Sequence, residues 1–152
     1  MTAHAEVSLN RLAASATTHC LTGCAIGEVL GFIIGTALGW SDFQTIAIAV
    51  VLAFFFGYLL TSLPLLRSGM TLREIVPIAL AADTVSITIM EIVDNAIMLL
   101  IPGAMAAGLG DPGFWAALAV ALLIAGAAAL PVNRWLIARG RGHAVIHQHH
   151  SH

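Results

Sequence analysis

The chain has 152 residues, of which 59% are hydrophobic and only 9% are charged, and its net charge is −2. Soluble domains contain about 25% charged residues, so this composition indicates a membrane protein with little mass outside the bilayer. The six basic residues are all arginines scattered along the chain, which gives no sign of a nucleic-acid partner. The sequence contains no phosphate-binding glycine loop and no Ser-His-Asp arrangement, so it favours a protein that is not an enzyme.

Four apolar segments each approach or exceed the roughly 20 residues that a membrane helix needs. They are predicted at 16–40, 43–66, 75–101 and 114–138. The connections between them are short, and short connections make consecutive helices antiparallel neighbours. The sequence therefore predicts an all-α fold, an integral membrane four-helix bundle that forms a single domain over residues 1–152.

The arginines predict how this protein is oriented in the membrane. They precede the first segment, occupy the second loop and follow the fourth segment, at Arg11, Arg67, Arg73, Arg134, Arg139 and Arg141. The first and third loops contain no Lys or Arg. Because loops rich in Lys and Arg stay in the cytoplasm, we expect both termini to be cytoplasmic and the protein to lie in a bacterial inner membrane.

The first segment contains two rows of residues that repeat every four positions. One row consists of Gly23, Gly27, Gly31, Gly35 and Gly39. The adjoining row consists of Cys20, Cys24 and Glu28, with His19 beside it. Residues four apart lie on one face of a helix, and small residues let membrane helices approach closely. We interpret the glycines as a packing face toward another helix or another subunit, and we expect a homo-oligomer that uses this face.

The two cysteines are not expected to form a disulfide. Positions four apart on a helix place Cβ atoms about 5–6 Å apart, whereas a disulfide needs about 3.5–4.5 Å, and the cytosol keeps thiols reduced. Cys20 and Cys24 can instead share a soft metal ion such as Cu(I), with His19 supplying an imidazole. Alternatively, both cysteines pack as small apolar residues.

The third segment contains three acids and no basic residue. Asp83, Glu91 and Asp94 project from one side of a helix, and Met90 and Met98 flank them. Acids at membrane depth are costly, so they face a protein interior or a wet cavity and mark ion or proton paths. Alternatively, these acids are protonated or hydrogen-bonded to polar residues of other helices.

The helical rise of about 1.5 Å per residue indicates how deep Glu28 and Asp83 lie in the membrane. This rise places Glu28 of the first segment and Asp83 of the third at similar distances above the cytoplasmic ends of their segments. We therefore expect these two carboxyls to meet, with Glu91 and Asp94 further toward the outside.

The C-terminal tail, residues 142–152, contains five of the seven histidines. Short His-rich tracts bind transition metals, so a cytoplasmic tail of this composition suits metal collection. Alternatively, its histidines have no function.

Several motifs together resemble a bacterial membrane family catalogued as domain of unknown function 4396. They are His19-Cys20-x-x-Gly23-Cys24-x-x-Gly27-Glu28, Asp83, Met90-Glu91-x-x-Asp94-Asn95 and Pro131-Val132-Asn133-Arg134-Trp135. The resemblance extends from about Thr18 to the tail. It implies a small integral membrane protein and carries no established activity, so no functional residue is transferred from it.

The leading hypothesis from the sequence is a protein that binds, and moves, a transition metal cation, with Cu(I) favoured. The candidate metal ligands are His19, Cys20, Cys24, Glu28, Asp83, Met90, Glu91, Asp94 and Met98. One alternative is a proton-conducting or monovalent-cation-conducting protein in which the acids matter and the thiols only pack. Further alternatives are a membrane redox enzyme that holds a cofactor and a structural subunit that packs through its glycine face.

Overall fold

The structure is a computed structural model that describes residues 3–139. These residues form four helices and no strand, so the all-α prediction is confirmed. The helices are α1 (Ala3–Leu38), α2 (Asp42–Arg67), α3 (Leu72–Leu100) and α4 (Pro112–Ala138). Helix α1 begins well before the apolar segment predicted at 16–40, and the other three lie close to their predicted segments.

The turns between helices follow from local sequence. Gly39 adopts φ +66°, a left-handed conformation that glycine tolerates and that ends a helix. Ser41 then caps α2 by accepting a hydrogen bond from the backbone of Gln44, whose side chain bonds back to the cap. Before α4, Asp111 caps the helix and Pro112 occupies its first position, where no backbone donor is needed.

Three of the helices are long and apolar enough to cross a membrane, namely α1 over Ser8–Leu38, α2 and α4. Helix α3 is bent by 46° between Leu72–Ala81 and Asp83–Leu100, and it makes a fourth if both parts belong to one span. The part of the chain that the structure describes therefore provides three or four helices of membrane-spanning length and composition.

Consecutive helices run in opposite directions, and α1 and α3 lie at the centre. Helix α1 packs against each of the other three, whereas within residues 3–139 no Cα atom of α2 comes within 8 Å of one of α4. The start of α1, the α2–α3 turn and the end of α4 lie at one end, which we call the arginine end. The turn at 39–41 and the segment 101–111 lie at the other, which we call the loop end.

The glycine row of α1 packs against α2 with almost no space between the backbones. A Cβ on Gly23 would lie 2.7 Å from the Cα of Gly57, and one on Gly27 would overlap the backbone of Ala53. The contact continues for two more turns toward the loop end. Since α2 already covers this face, a second copy would have to use another surface, and the homo-oligomer stays a prediction.

Candidate functional site

The row of α1 beside the glycines faces α3, and together the two helices form a buried line of functional groups that we call the polar seam. It consists of Cys20, Cys24 and Glu28 from α1 with Asp83, Met90, Glu91, Asp94 and Asn95 from α3. None of these residues is more than 8% exposed. The sequence has no Lys or Arg in residues 12–66 or 74–133. Because an isolated ionised carboxylate is very costly to bury, the seam needs protons or a bound cation to neutralise its acids.

Toward the arginine end, the seam is a layer of sulfur groups. The Cys20 thiol donates a hydrogen bond to Oδ1 of Asp83 at 3.5 Å. The Sγ atom of Cys24 lies 3.9 Å from the Sδ atom of Met90. Both cysteines and Met90 belong to one apolar cluster that includes alanines of α2 and α4, and the cysteines form no disulfide, as expected. The structure thus brings together four of the predicted ligand residues from two helices at this level, namely Cys20, Cys24, Asp83 and Met90.

Toward the loop end, the seam becomes a group of three acids and one amide, which we call the carboxyl cluster: Glu28, Glu91, Asp94 and Asn95. The carboxyl of Glu28 is within hydrogen-bonding contact of those of Glu91 and Asp94. The Nδ2 group of Asn95 donates to Oε1 of Glu28 and Oε2 of Glu91, each at 3.3 Å. A hydrogen bond between two carboxyl groups requires a proton on one of them. The arrangement therefore suits at least one shared proton.

The carboxyl cluster also contains an unusual number of buried oxygens that accept no hydrogen bond from an amide or hydroxyl group. These are Oε2 of Glu28, Oε1 of Glu91, both carboxyl oxygens of Asp94 and Oδ1 of Asn95, none of which accepts a bond from an amide or hydroxyl within the described chain. Proteins pair nearly all of their buried polar atoms, and exceptions call for a functional explanation or an additional bound species. The cluster is therefore a candidate site for a proton, water or a small cation.

The expected pairing of Glu28 with Asp83 is wrong. Asp83 lies beside Cys20, eight residues before Glu28 on α1, while Glu28 contacts Asp94 and Asn95. The expected pairing assumed that depth can be counted from the predicted starts of the two apolar segments. In the structure, however, α1 begins at Ala3 and α3 bends just before Asp83. Equal numbers of residues from the starts of the two helices therefore do not correspond to equal depths in the bundle.

Two predicted ligands lie away from the seam. Met98 packs in a separate apolar cluster with Phe32 and Phe114, further toward the loop end. His19 is half-buried in the wall of an open groove of about 590 Å³ at the arginine end, beside Arg11 and other polar residues of α1. Its Nε2 atom is buried and has no hydrogen-bond partner in the described chain. Neither residue belongs to the sulfur layer or to the carboxyl cluster.

No group of three or more His, Cys, Asp or Glu side chains is arranged to hold a metal ion within residues 3–139. The predicted ligand set is instead divided among the groove, the sulfur layer, the carboxyl cluster and the position of Met98. A ligand set made of the two thiols and the Met90 thioether is a different arrangement, which does not depend on carboxylate or imidazole ligands. The His-rich tail, residues 142–152, lies outside the described residues, and metal binding by it stays a prediction.

One buried polar residue next to the seam was missed from the sequence. Ser86 is fully buried and its hydroxyl lies beside the thiol of Cys20. It follows Asp83 by three positions, a spacing that places two residues on the same helix face. The same rule that grouped the acids would have found it.

Comparison with known proteins identifies one family. The family described as Domain of unknown function (DUF4396) matches residues 9–142, which contain every residue of the polar seam. The resemblance noted from the sequence is therefore confirmed. No curated protein and no solved structure matches this chain.

Proposed function

The chain belongs to this family of domains of unknown function, and we propose that it is a small inner-membrane protein that moves protons through its carboxyl cluster. All four helices cross the bilayer in this proposal, and the bent α3 is one span. The arginine end faces the cytoplasm, in agreement with the rule that positive charge is retained there. Both termini are then cytoplasmic, and the loop end faces outward.

The observation that carries this proposal is the contact of the Glu28 carboxyl with both Glu91 and Asp94. Carboxyl groups in mutual contact cannot all be ionised, and they share protons instead. Asn95 donates to two of the three groups, which holds them in place and leaves their other oxygens open. A proton can therefore pass from one acid to the next with only small side-chain movements.

A purely structural role for these acids is disfavoured on energetic grounds. A buried polar network stabilises a protein only when its members are satisfied, and a partly satisfied one is costly. The cluster has buried oxygens on Glu28, Glu91 and Asp94 that receive no hydrogen bond from the described amides and hydroxyls. Ionisable residues inside membrane helices commonly belong to proton relays, so proton transfer accounts for a cost that packing does not explain.

A second candidate function, Cu(I) binding, is favoured by the sulfur layer. With metal–sulfur bonds of about 2.3 Å, two sulfurs bound to one ion in a trigonal or tetrahedral geometry lie about 3.8–4.0 Å apart. The Cys24 and Met90 sulfurs are 3.9 Å apart, and the Cys20 side chain belongs to the same cluster. Thiolate and thioether sulfur are the ligands that Cu(I) prefers. This candidate uses the sulfur layer and leaves the carboxyl cluster for protons.

Proton movement is tested with the purified protein reconstituted in liposomes that contain a pH-sensitive dye. A potassium gradient with valinomycin supplies the membrane potential. We expect a change of internal pH with the wild-type protein, and its loss in Glu91→Gln and in Asp94→Asn. The control is Asp111→Asn, because Asp111 caps α4 outside the seam and asparagine caps helices equally well. Flux equal to that of protein-free liposomes, or flux that both cluster variants retain, would refute the proposal.

Copper binding is tested by anaerobic competition of the purified protein with a Cu(I)-chelating dye. We expect Cys24→Ser and Met90→Leu each to weaken Cu(I) binding. The matched control is Met98→Leu, which removes a fully buried methionine from a different cluster. Equal Cu(I) affinity in the wild type and in the two seam variants would exclude the sulfur layer as the site. Proton flux in Cys24→Ser should persist if the carboxyl cluster alone conducts.

A further inference from the structure

A layer of apolar side chains covers the carboxyl cluster on the side of the loop end. Phe32 lies one turn beyond Glu28 on α1, and Met98 lies one turn beyond Asp94 on α3; both are buried. Phe114, in the first turn of α4, completes the layer. Its ring meets that of Phe32 edge to face, with 5.1 Å between ring centroids and an interplanar angle of 83°. We call these three side chains the aromatic layer.

Directly beyond the aromatic layer lies a partly enclosed cavity of about 100 Å³. Phe32 and Phe114 form part of its wall, and its polar lining comes from Thr36, Asp42 and Thr45. Residues of the segment 101–111 also line it. That segment is held in place by the indole of Trp115, whose Nε1 donates to the carbonyl oxygen of Leu109 at 2.6 Å. The cavity therefore lies between the outer loop and the layer that seals the acids.

We propose that this cavity is an outer waiting site for a small hydrated monovalent cation, hydronium included, and that the aromatic layer is a closed gate between it and the carboxyl cluster. Carboxylate and hydroxyl oxygens suit a hard cation better than a soft one. One water molecule takes up about 30 Å³ in the liquid, so the cavity has room for a small ion with a few waters. This inference rests on the proposed function, because it supplies the outer access to the proton-conducting acids.

The apolar character of the aromatic layer is the reason to regard it as a gate. Phe32, Met98 and Phe114 offer no group that could carry a proton, and hydrophobic constrictions close channels by excluding water. Phe114 comes three residues after Asp111, where the outer segment ends and α4 begins. A movement of that segment or of the first turn of α4 would displace the Phe114 ring and open the layer. In the arrangement observed, the cavity and the acids are separated.

The gate is tested by the accessibility of single cysteines, which does not depend on proton flux. In a chain with Cys20→Ala and Cys24→Ala, a reporter cysteine is placed below the layer as Asp94→Cys or above it as Asp42→Cys. A charged, membrane-impermeant thiol reagent is added from the outer side of oriented vesicles. We expect Asp42→Cys to react in every background. We expect Asp94→Cys to react slowly with the intact layer and at least tenfold faster with Phe114→Ala.

A conservative variant separates opening from misfolding. Phe32→Leu keeps the layer apolar and filled, so Asp94→Cys should stay protected there, whereas Phe32→Ala should expose it. The gate is refuted if Asp94→Cys reacts at the same rate with the intact and the truncated layers. Protection of Asp94→Cys in both alanine variants, while Asp42→Cys reacts, would refute it as well.

The waiting site is tested in the liposome assay with flux started from the outer side. Asp42→Asn should lower the rate severalfold, whereas Asp111→Asn should conduct like the wild type. Equal rates in the two variants would exclude Asp42 from the path. A wild-type protein without any flux would refute the proposed function and the waiting site together, while the cysteine experiment would still decide whether the aromatic layer seals the acids.

Discussion

The two faces of α1 differ in what their contacts leave unsatisfied. The glycine face meets α2 at van der Waals distance along four turns, and a side chain at Gly27 would collide with the backbone of Ala53. The neighbouring face meets α3 through thiols and acids, and Glu28 retains a buried oxygen that accepts no bond from an amide or hydroxyl group of the described residues. The first contact is closely packed, whereas the second contains oxygens whose hydrogen-bonding capacity is not used by amides or hydroxyls. The comparison indicates that α2 fixes the rotation of α1, and that this rotation aims Glu28 at the acids of α3.

The largest expected effect is on the glycine face. Gly27→Ala would force α1 and α2 apart, because the added Cβ meets backbone rather than a flexible side chain. Overpacking of this kind costs about 3 kcal/mol, so thermal unfolding in detergent should show a clear loss of stability. The control is Gly108→Ala, where an added Cβ would meet no atom within 4 Å. Equal melting temperatures for the two variants would mean that the α1–α2 contact is not close.

A smaller loss is expected at the amide of the carboxyl cluster. Asn95→Leu removes the group that donates to Glu28 and Glu91 and leaves their oxygens without a donor. The loss of a buried hydrogen-bond partner costs about 2 kcal/mol, and it should appear as a lower midpoint in denaturant unfolding. Asn95→Gln keeps the amide and should recover part of the stability. If Asn95→Leu is as stable as the wild type, Asn95 does not hold the acids.

A minor effect is expected where α2 meets α3 outside the seam. The hydroxyls of Tyr58 and Thr84 share a hydrogen bond of 2.7 Å. Tyr58→Phe removes it and should cost about 1 kcal/mol, measured by the same unfolding assay. Proton flux should not change, because Tyr58 lies outside the carboxyl cluster. A loss of flux in Tyr58→Phe would extend the path beyond the seam defined here.

The smallest effect on stability is expected for the acids themselves. Asp94→Asn removes a buried carboxyl whose oxygens accept no bond from the described amides and hydroxyls. Functional groups of this kind are commonly held at a cost in stability, so the variant should be as stable as the wild type or more stable, although its flux is lost. A fall in melting temperature as large as that of Gly27→Ala would instead show that the acids are structural.

The sequence was sufficient to predict the helices, because an apolar segment of membrane-spanning length has few alternatives. It also predicted that Cys20, Cys24 and Glu28 form one face, since a four-residue spacing fixes that relation within a helix. Both statements concern one helix at a time. Relations between helices were harder to predict, because spacing within a helix does not say which neighbour a face will meet.

The glycine row and the pairing of Glu28 show where that limit lies. The glycines predicted close packing but not that α2 would be the partner. The register between α1 and α3 was predicted incorrectly, because it depends on the early start of α1 and on the bend before Asp83. The separation of Met98 from the sulfur layer is different, because it follows from spacing within α3: Met98 comes eight residues after Met90 and therefore lies at another depth.

Infrared spectroscopy of the protein in lipid tests most directly whether the carboxyl cluster shares protons. The account predicts a carbonyl band of protonated carboxyl groups at neutral pH that shifts in heavy water. This band should weaken in the triple variant Glu28→Gln, Glu91→Gln, Asp94→Asn and remain in Asp111→Asn. A wild-type spectrum without the band would contradict the account, because all three acids would then be ionised. A band of equal strength in the triple variant would contradict it too, because the shared proton would lie elsewhere.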